Sequence, residues 1–155
     1  VAEAIHLLKY SERPSIARRL AALMHGCLAP GDRYLESDLI AAVPLHGARL
    51  RERGYNQAQL LADELSRITG IPADPKAVRR VRHNPTQTRL NRKQRLENVR
   101  DIFRAQDPAR VRGCRVILVD DVLTTGATIG SCARALLEAG AAEVLALTAA
   151  AAPLD

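Results

Sequence analysis

The sequence predicts an α/β fold with a mostly parallel central sheet flanked by helices, and three observations carry that prediction. Residues 115–119, RVILV, are a largely β-branched apolar run long enough for a central strand. Residues 127–139 put Ile129, Ala133, Leu136 and Leu137 on one helical face, and Gly140 follows as a stop. Residues 144–147 supply a second apolar strand. Strand, helix and strand in that order make a βαβ unit, which requires parallel strands and a right-handed crossover.

The earlier elements follow from the same patterns. Pro14 suits the first turn of a helix, and Ile16, Leu20, Leu23, Met24 and Cys27 recur after it at helical spacing. Residues 39–43 form a short apolar run ended by Pro44, read as a buried strand. Residues 45–56 are polar and read as a loop. Ala58, Leu61, Leu65 and Ile68 mark a second amphipathic helix, with Gly70 placed to end it and Pro72 beyond. Residues 77–81 read as a strand and 90–99 as a helix with few apolar positions. With 155 residues and no internal repeat, one domain over 1–155 is expected.

Composition narrows the partners. Aromatic residues make up only 3% of a chain that is 47% hydrophobic, so the core must be aliphatic. The net charge of +6 is concentrated: residues 79–104 hold nine Lys and Arg against Glu97 and Asp101, leaving the remainder close to neutral. Such a segment favours anionic partners, phosphorylated metabolites or nucleic acid, although a solvated helix face explains a basic run equally simply. For single-stranded DNA the segment offers only Phe103 and His83 to stack on bases, so composition alone does not support that partner. Cys27, Cys114 and Cys132 form no CxxC pair, which argues against a zinc ribbon and for core thiols of a reduced, cytoplasmic protein. Residues 1–8 contain Glu3 and His6 and do not read as a secretory leader, and no apolar run is suited to spanning a bilayer. The chain begins at Val1 rather than Met, which leaves room for residues upstream.

The chemistry lies in VILVDDVLTTGAT, residues 116–128. Ligands of open α/β sheets bind at the carboxyl ends of strands, where Asp120 and Asp121 are expected. Thr124, Thr125, Gly126, Ala127 and Thr128 lead into the helix, whose free N–H groups and positive end suit a phosphate. Gly126 removes a Cβ from the path of an approaching anion, and the Thr hydroxyls add donors. Two carboxylates beside a phosphate repel it unless the ligand also brings hydroxyls or a metal ion. A ribose 5-phosphate meets both needs: hydroxyls to the acids, phosphate to the helix end. The ordinary reading is an acidic strand end with a Thr-rich cap. Neither a GxxxxGK[ST] loop nor a GxGxxG after a strand is present.

This segment resembles the phosphoribosyl diphosphate (PRPP) motif of type I phosphoribosyltransferases. LLKY at residues 7–10, VPLHGARLRERGYNQAQLLA at 43–62 and TQTRLNRKQRLENVRDIF at 86–103 narrow the resemblance to the ComF family, which includes competence-associated and GntX-like proteins. It covers nearly the whole chain. The resemblance implies a type I phosphoribosyltransferase fold with a flexible hood over residues 79–104. Asp120 and Asp121 would serve as the catalytic pair holding the ribose hydroxyls, and residues 124–128 would bind the 5-phosphate. Pro44, Leu45, His46, Arg49, Arg51 and Arg53 would form the diphosphate loop. Guanidinium forks match phosphate oxygens, though surface charge explains these arginines as well. Gly54, Tyr55, Asn56 and Gln57 are left to shape the loop or cap the next helix, capping being the reading for Asn56. Arg80, Arg82, Gln87, Arg95 and Asn98 are the motif-like members of the hood. Magnesium would arrive with the diphosphate, with no metal held directly by side chains. Partners implied are PRPP or a ribose 5-phosphate-like ligand, single-stranded DNA, competence proteins and a second copy of the chain as a homodimer. The family's Cys-rich zinc module has no counterpart here, so zinc is not expected. Two activities stay open: phosphoribosyl transfer to a nitrogen acceptor, or non-catalytic binding in DNA uptake. His46 and His83 are general-base candidates by side-chain type only.

Overall fold

The computed structural model of the chain describes residues 14–81 and 102–152. In chain order these form helix α1 (Pro14–Gly26), strand β1 (Leu39–Ala42), helices α2 (Gly47–Arg53) and α3 (Gln57–Thr69), strands β2 (Val78–Arg80), β3 (Phe103–Ala105) and β4 (Arg115–Leu123), helix α4 (Ala127–Glu138) and strand β5 (Glu143–Ala151). The central sheet has the order β1-β4-β5 and is parallel throughout. Beyond β1, an isolated parallel bridge joins Ile40 to Ala73. Among the described residues four helices flank the sheet, in keeping with the α/β expectation.

Alternation along the strands divides the core in two. Ile40, Ala42, Ile117 and Val119 face α1 and α3, where Ala17, Leu20, Met24, Leu61 and Leu65 cover them. Leu39, Ala41, Val43, Val116 and Leu118 face the other way, onto Ile129, Cys132 and Leu136 of α4 and Phe103 of β3. Both faces of β4 are thus covered, which is why its sequence is a continuous apolar run rather than an alternating one. Each fully buried Leu or Ile contributes about 1.5–3 kcal/mol. Glycines at positive φ stop α2 (Gly54, 77°) and α3 (Gly70, 77°).

Several expectations need correction. Residues 45–56 are not all loop, because α2 occupies two turns of them. β4 runs past Val119 to Leu123 and β5 past Leu147 to Ala151, because the two strands continue to pair with each other after β1 has ended. Leu23, Ile68 and Leu137 are 63%, 40% and 48% exposed, since their helices bury only a narrower stripe. Cys27 is exposed beyond the end of α1, whereas Cys132 is the buried thiol and Cys114 lies between. The helix expected over 90–99 lies outside the described residues. Among the described residues no helix is long and apolar enough to cross a membrane.

Candidate functional site

The site begins where the sheet loses a strand. The Val43 N–H donates to the Val119 carbonyl at 2.9 Å, and Pro44 then turns the chain out of the sheet. β4 continues against β5, pairing Asp120 with Thr148 and Leu123 with Ala151. Asp120 and Asp121, both half-buried, therefore stand on a strand whose neighbour on the β1 side has just left. Asp120 Oδ1 accepts the Asp121 N–H at 2.9 Å, which holds that carboxylate in place.

The departing chain folds at once into α2. His46 caps it, its Nδ1 accepting the Ala48 N–H at 3.2 Å. Arg49 and Arg53 are four residues apart and share one helix face, and both line a cleft of about 460 Å³ with Asp120 and Asp121. Asn56 caps α3 through Oδ1, which accepts the Ala58 N–H at 3.1 Å, while its Nδ2 donates to the Val43 carbonyl at 3.0 Å. One side chain thus fastens the start of α3 to the end of β1. Arg80 reaches the same cleft from β2, and Thr128 from the first turn of α4.

Electrostatics give the cleft two ends. The Arg80 guanidinium, stacked 5.5 Å over the Phe103 ring, has its affinity for a proton lowered by desolvation and then by the nearby charge of Arg49. Two cations close enough to repel one another are an arrangement an anion relieves. Behind the acids, burial, and then the charge of Asp120, pushes the Cys132 thiol far above its ordinary range, so it stays a neutral core group.

Of the anticipated residues, Pro44, Leu45, His46, Arg49, Arg53, Arg80, Asp120, Asp121 and Thr128 come together around this cleft. Arg51 does not line it, because a helical α2 turns alternate residues to opposite sides. Thr124, Thr125, Gly126 and Ala127 form the turn next to it rather than its wall. Thr125 Oγ1 accepts the Ala127 N–H at 3.4 Å, and Gly126 sits at φ 76°. A Cβ on Gly126 would make only an ordinary 3.8 Å contact with Leu123, so the glycine is required by the backbone conformation rather than by crowding. Arg82, Gln87, Arg95 and Asn98 lie outside the described residues, which resume on the far side of that segment with β3, paired antiparallel to β2. Gln57, expected to shape the loop or cap the next helix, is instead buried and lines the cleft together with Asp120 and Asp121. A second hollow of about 730 Å³ shares Pro44, Leu45, His46, Asn56 and Arg80 with the cleft and extends to apolar Val78, Val81 and Ile102.

A parallel sheet interrupted at a strand end, with paired acids there and a glycine turn into a helix, is the arrangement that the resemblance to type I phosphoribosyltransferases implies. The phosphoribosyl transferase domain model matches residues 50–154, and the chain belongs to that family. Relatives include the DNA utilization protein YhgH of Escherichia coli strain K12, 39% identical over 90% of this chain and 62% of its own length. Competence protein F of Haemophilus influenzae is 36% identical over 90% of this chain and 63% of its length. Competence protein ComFC of Bacillus subtilis is 38% identical over 67% of this chain and 40% of its length. These bear out the resemblance to the ComF family. The chain spans less than two thirds of the length of these relatives. Among solved structures, glutamine PRPP amidotransferase from Bacillus subtilis, complexed with ADP and GMP, superposes with a TM-score of 0.64 at 22% identity, over 94% of this chain and 30% of that one. That likeness is one of fold.

Proposed function

We propose that the cleft binds PRPP and that the chain transfers its phosphoribosyl group to a nitrogen nucleophile, releasing diphosphate. The observation that carries this reading is the sorting of charge around one cleft: Asp120 and Asp121 from β4, Arg49 and Arg53 from α2 and Arg80 from β2. The acids accept hydrogen bonds from the ribose hydroxyls. The turn at residues 124–128 and the first N–H groups of α4 receive the 5-phosphate. Arg49, Arg53 and Arg80 hold the diphosphate, and Arg51 at the far side of α2 lends only long-range charge. In this reading the adjoining hollow toward Val78 and Ile102 would admit the acceptor.

Magnesium fits this donor set. It keeps most of its water and binds ligand phosphates rather than an all-protein cage, so it would arrive carried by the diphosphate. Bound with the diphosphate, it supplies charge neutralisation on the leaving group. The chain's own part is to align sugar and acceptor and to stabilise negative charge as the glycosidic bond lengthens toward an oxocarbenium-like transition state.

The second reading is a PRPP- or single-stranded-DNA-binding protein of DNA uptake, acting in the cytoplasm with competence partners and without turnover. The names of the relatives favour it. Calorimetric titration with magnesium–PRPP, on the wild type and on Asp120→Asn/Asp121→Asn, tests the shared premise. Binding by the wild type and its loss in the folded variant is the expected result; a wild type that is folded and does not bind PRPP refutes the enzyme and the PRPP-binding form of the second reading, and leaves only its DNA-binding form. Diphosphate release across a panel of nitrogen acceptors then separates enzyme from binding protein.

A further inference from the structure

Gln57 is only 2% exposed, yet its amide nitrogen Nε2 meets no hydrogen-bond partner among the described residues. Buried amide groups in native proteins are almost always paired, and an exception calls for a reason. Helix capping is not that reason. Free N–H groups at a helix start need an acceptor, which an amide nitrogen cannot be, and the Ala58 N–H is already taken by Asn56 Oδ1 at 3.1 Å. Nor is the first turn of α3 short of partners in general: Gln59 Nε2 donates to Asp63 at 2.8 Å on the surface. Gln57 instead lines the cleft that contains Asp120, Asp121, Arg49 and Arg53.

We infer that Gln57 is a ligand-binding residue, whose side-chain amide donates a hydrogen bond to a diphosphate oxygen of the molecule held in this cleft. The inference rests on the reading of the cleft as a PRPP site and deepens it. An idle donor needs an acceptor. The ribose hydroxyls are committed as donors to the two carboxylates, so the unprotonated oxygens of the diphosphate are the acceptors left. They lie on the side of Pro44, His46 and Arg49, and α3 starts from that side, tied to Val43 through Asn56. A neutral amide adds a bond there without bringing more positive charge between Arg49 and Arg80. The final torsion of a Gln side chain is broad, so its amide can turn toward an incoming oxygen without leaving a rotamer well.

A donor kept unpaired for a ligand has a signature that a structural residue lacks: its removal should relieve the empty protein and harm the filled one. Gln57→Leu and Gln57→Met should melt at or above the wild-type temperature without ligand. By calorimetry, both variants should bind magnesium–PRPP and magnesium–pyrophosphate at least about tenfold more weakly, the loss expected for a hydrogen bond to a charged group. Ribose 5-phosphate should bind unchanged. Full pyrophosphate affinity in either folded variant overturns the inference, as does an equal loss for ribose 5-phosphate. A lowered melting temperature with intact affinity shows a packing role and overturns it too. If the folded wild type binds none of the three probes, the reading of the cleft itself fails and takes this inference with it.

Discussion

Asn56 is held at both ends, its Nδ2 donating to the Val43 carbonyl at 3.0 Å and its Oδ1 accepting the Ala58 N–H at 3.1 Å. It is the pin between the strand that leaves the sheet and the helix that forms one side of the cleft. Asn56→Ala removes a cap worth about 1 kcal/mol and a hydrogen bond worth about as much. Urea unfolding should show a loss of about 2 kcal/mol, with Asn56→Asp, which keeps only the cap, losing about half of that.

Arg49 and Arg80 approach the cleft from different elements, and each is a like charge to the other. Removing either should weaken magnesium–pyrophosphate binding by about tenfold and flatten its dependence on salt. The ligand-free protein should lose little stability, because Arg80 then gives up chiefly its stacking on Phe103. Titrations of Arg49→Ala and Arg80→Ala at two ionic strengths check both statements. Undiminished affinity in both variants removes the cationic wall from the proposal.

Gly126→Ala should destabilise the fold by about 1 kcal/mol, because alanine resists the left-handed conformation observed at φ 76°. Gly126→Asn should lose less, since asparagine tolerates that region. Thermal unfolding of the pair decides between backbone strain and crowding. Equal losses for both variants would point to crowding.

Acid should unfasten one brace beneath the site. The Asp74 carboxylate takes two hydrogen bonds from Arg110, at 2.6 and 2.9 Å, joining the segment beside β1 to the lead-in of β4. The Arg110 hydrogen bonds are the main reason its carboxyl is held below the ordinary range, with the Lys76 N–H assisting against partial burial. A carboxyl depressed in the folded state stabilises above the unfolded value, about 3.9, and that stability fades as pH falls through the lower folded value. Asp74→Asn should therefore be less stable than wild type at pH 7, with the gap closing on acidification below about pH 4. Chemical denaturation across pH follows the difference.

The sheet and its acids were legible because their patterns are strong. Ile117, Leu118 and Val119 are buried in succession, and a short, β-branched apolar run of that kind suits a strand covered on both faces. The far end of β4 was not legible: Asp120 to Leu123 are half-buried and pair on one side only, which resembles a loop in sequence. Helix α2 escaped for a related reason. It buries none of its residues, so it has no apolar stripe to detect, and a histidine caps it instead of the usual Ser, Thr, Asp or Asn. Misreading it as a loop made Arg51 equivalent to Arg49 and Arg53, whereas helical geometry separates them. Gln57 illustrates a different limit. Nothing in one sequence distinguishes a buried glutamine from a surface one at the start of an amphipathic helix, and its significance depends on a partner that only three-dimensional packing can deny it.

The parallel pairing of β1 with β4, from Leu39 opposite Val116 to Ala42 opposite Val119, has a thermodynamic corollary. The cleft draws on residues that follow the carboxyl ends of both paired strands, so it is complete only once β1 and β4 have come together. Occupancy and folding are then a single linked equilibrium: a ligand at a hundred times its dissociation constant adds about 2.7 kcal/mol to the whole domain. The long loop that must close before β1 finds β4 makes this register a slow step. A bound sugar diphosphate would act as a latch on a sheet that is slow to assemble, lengthening the life of the folded chain as well as filling its site.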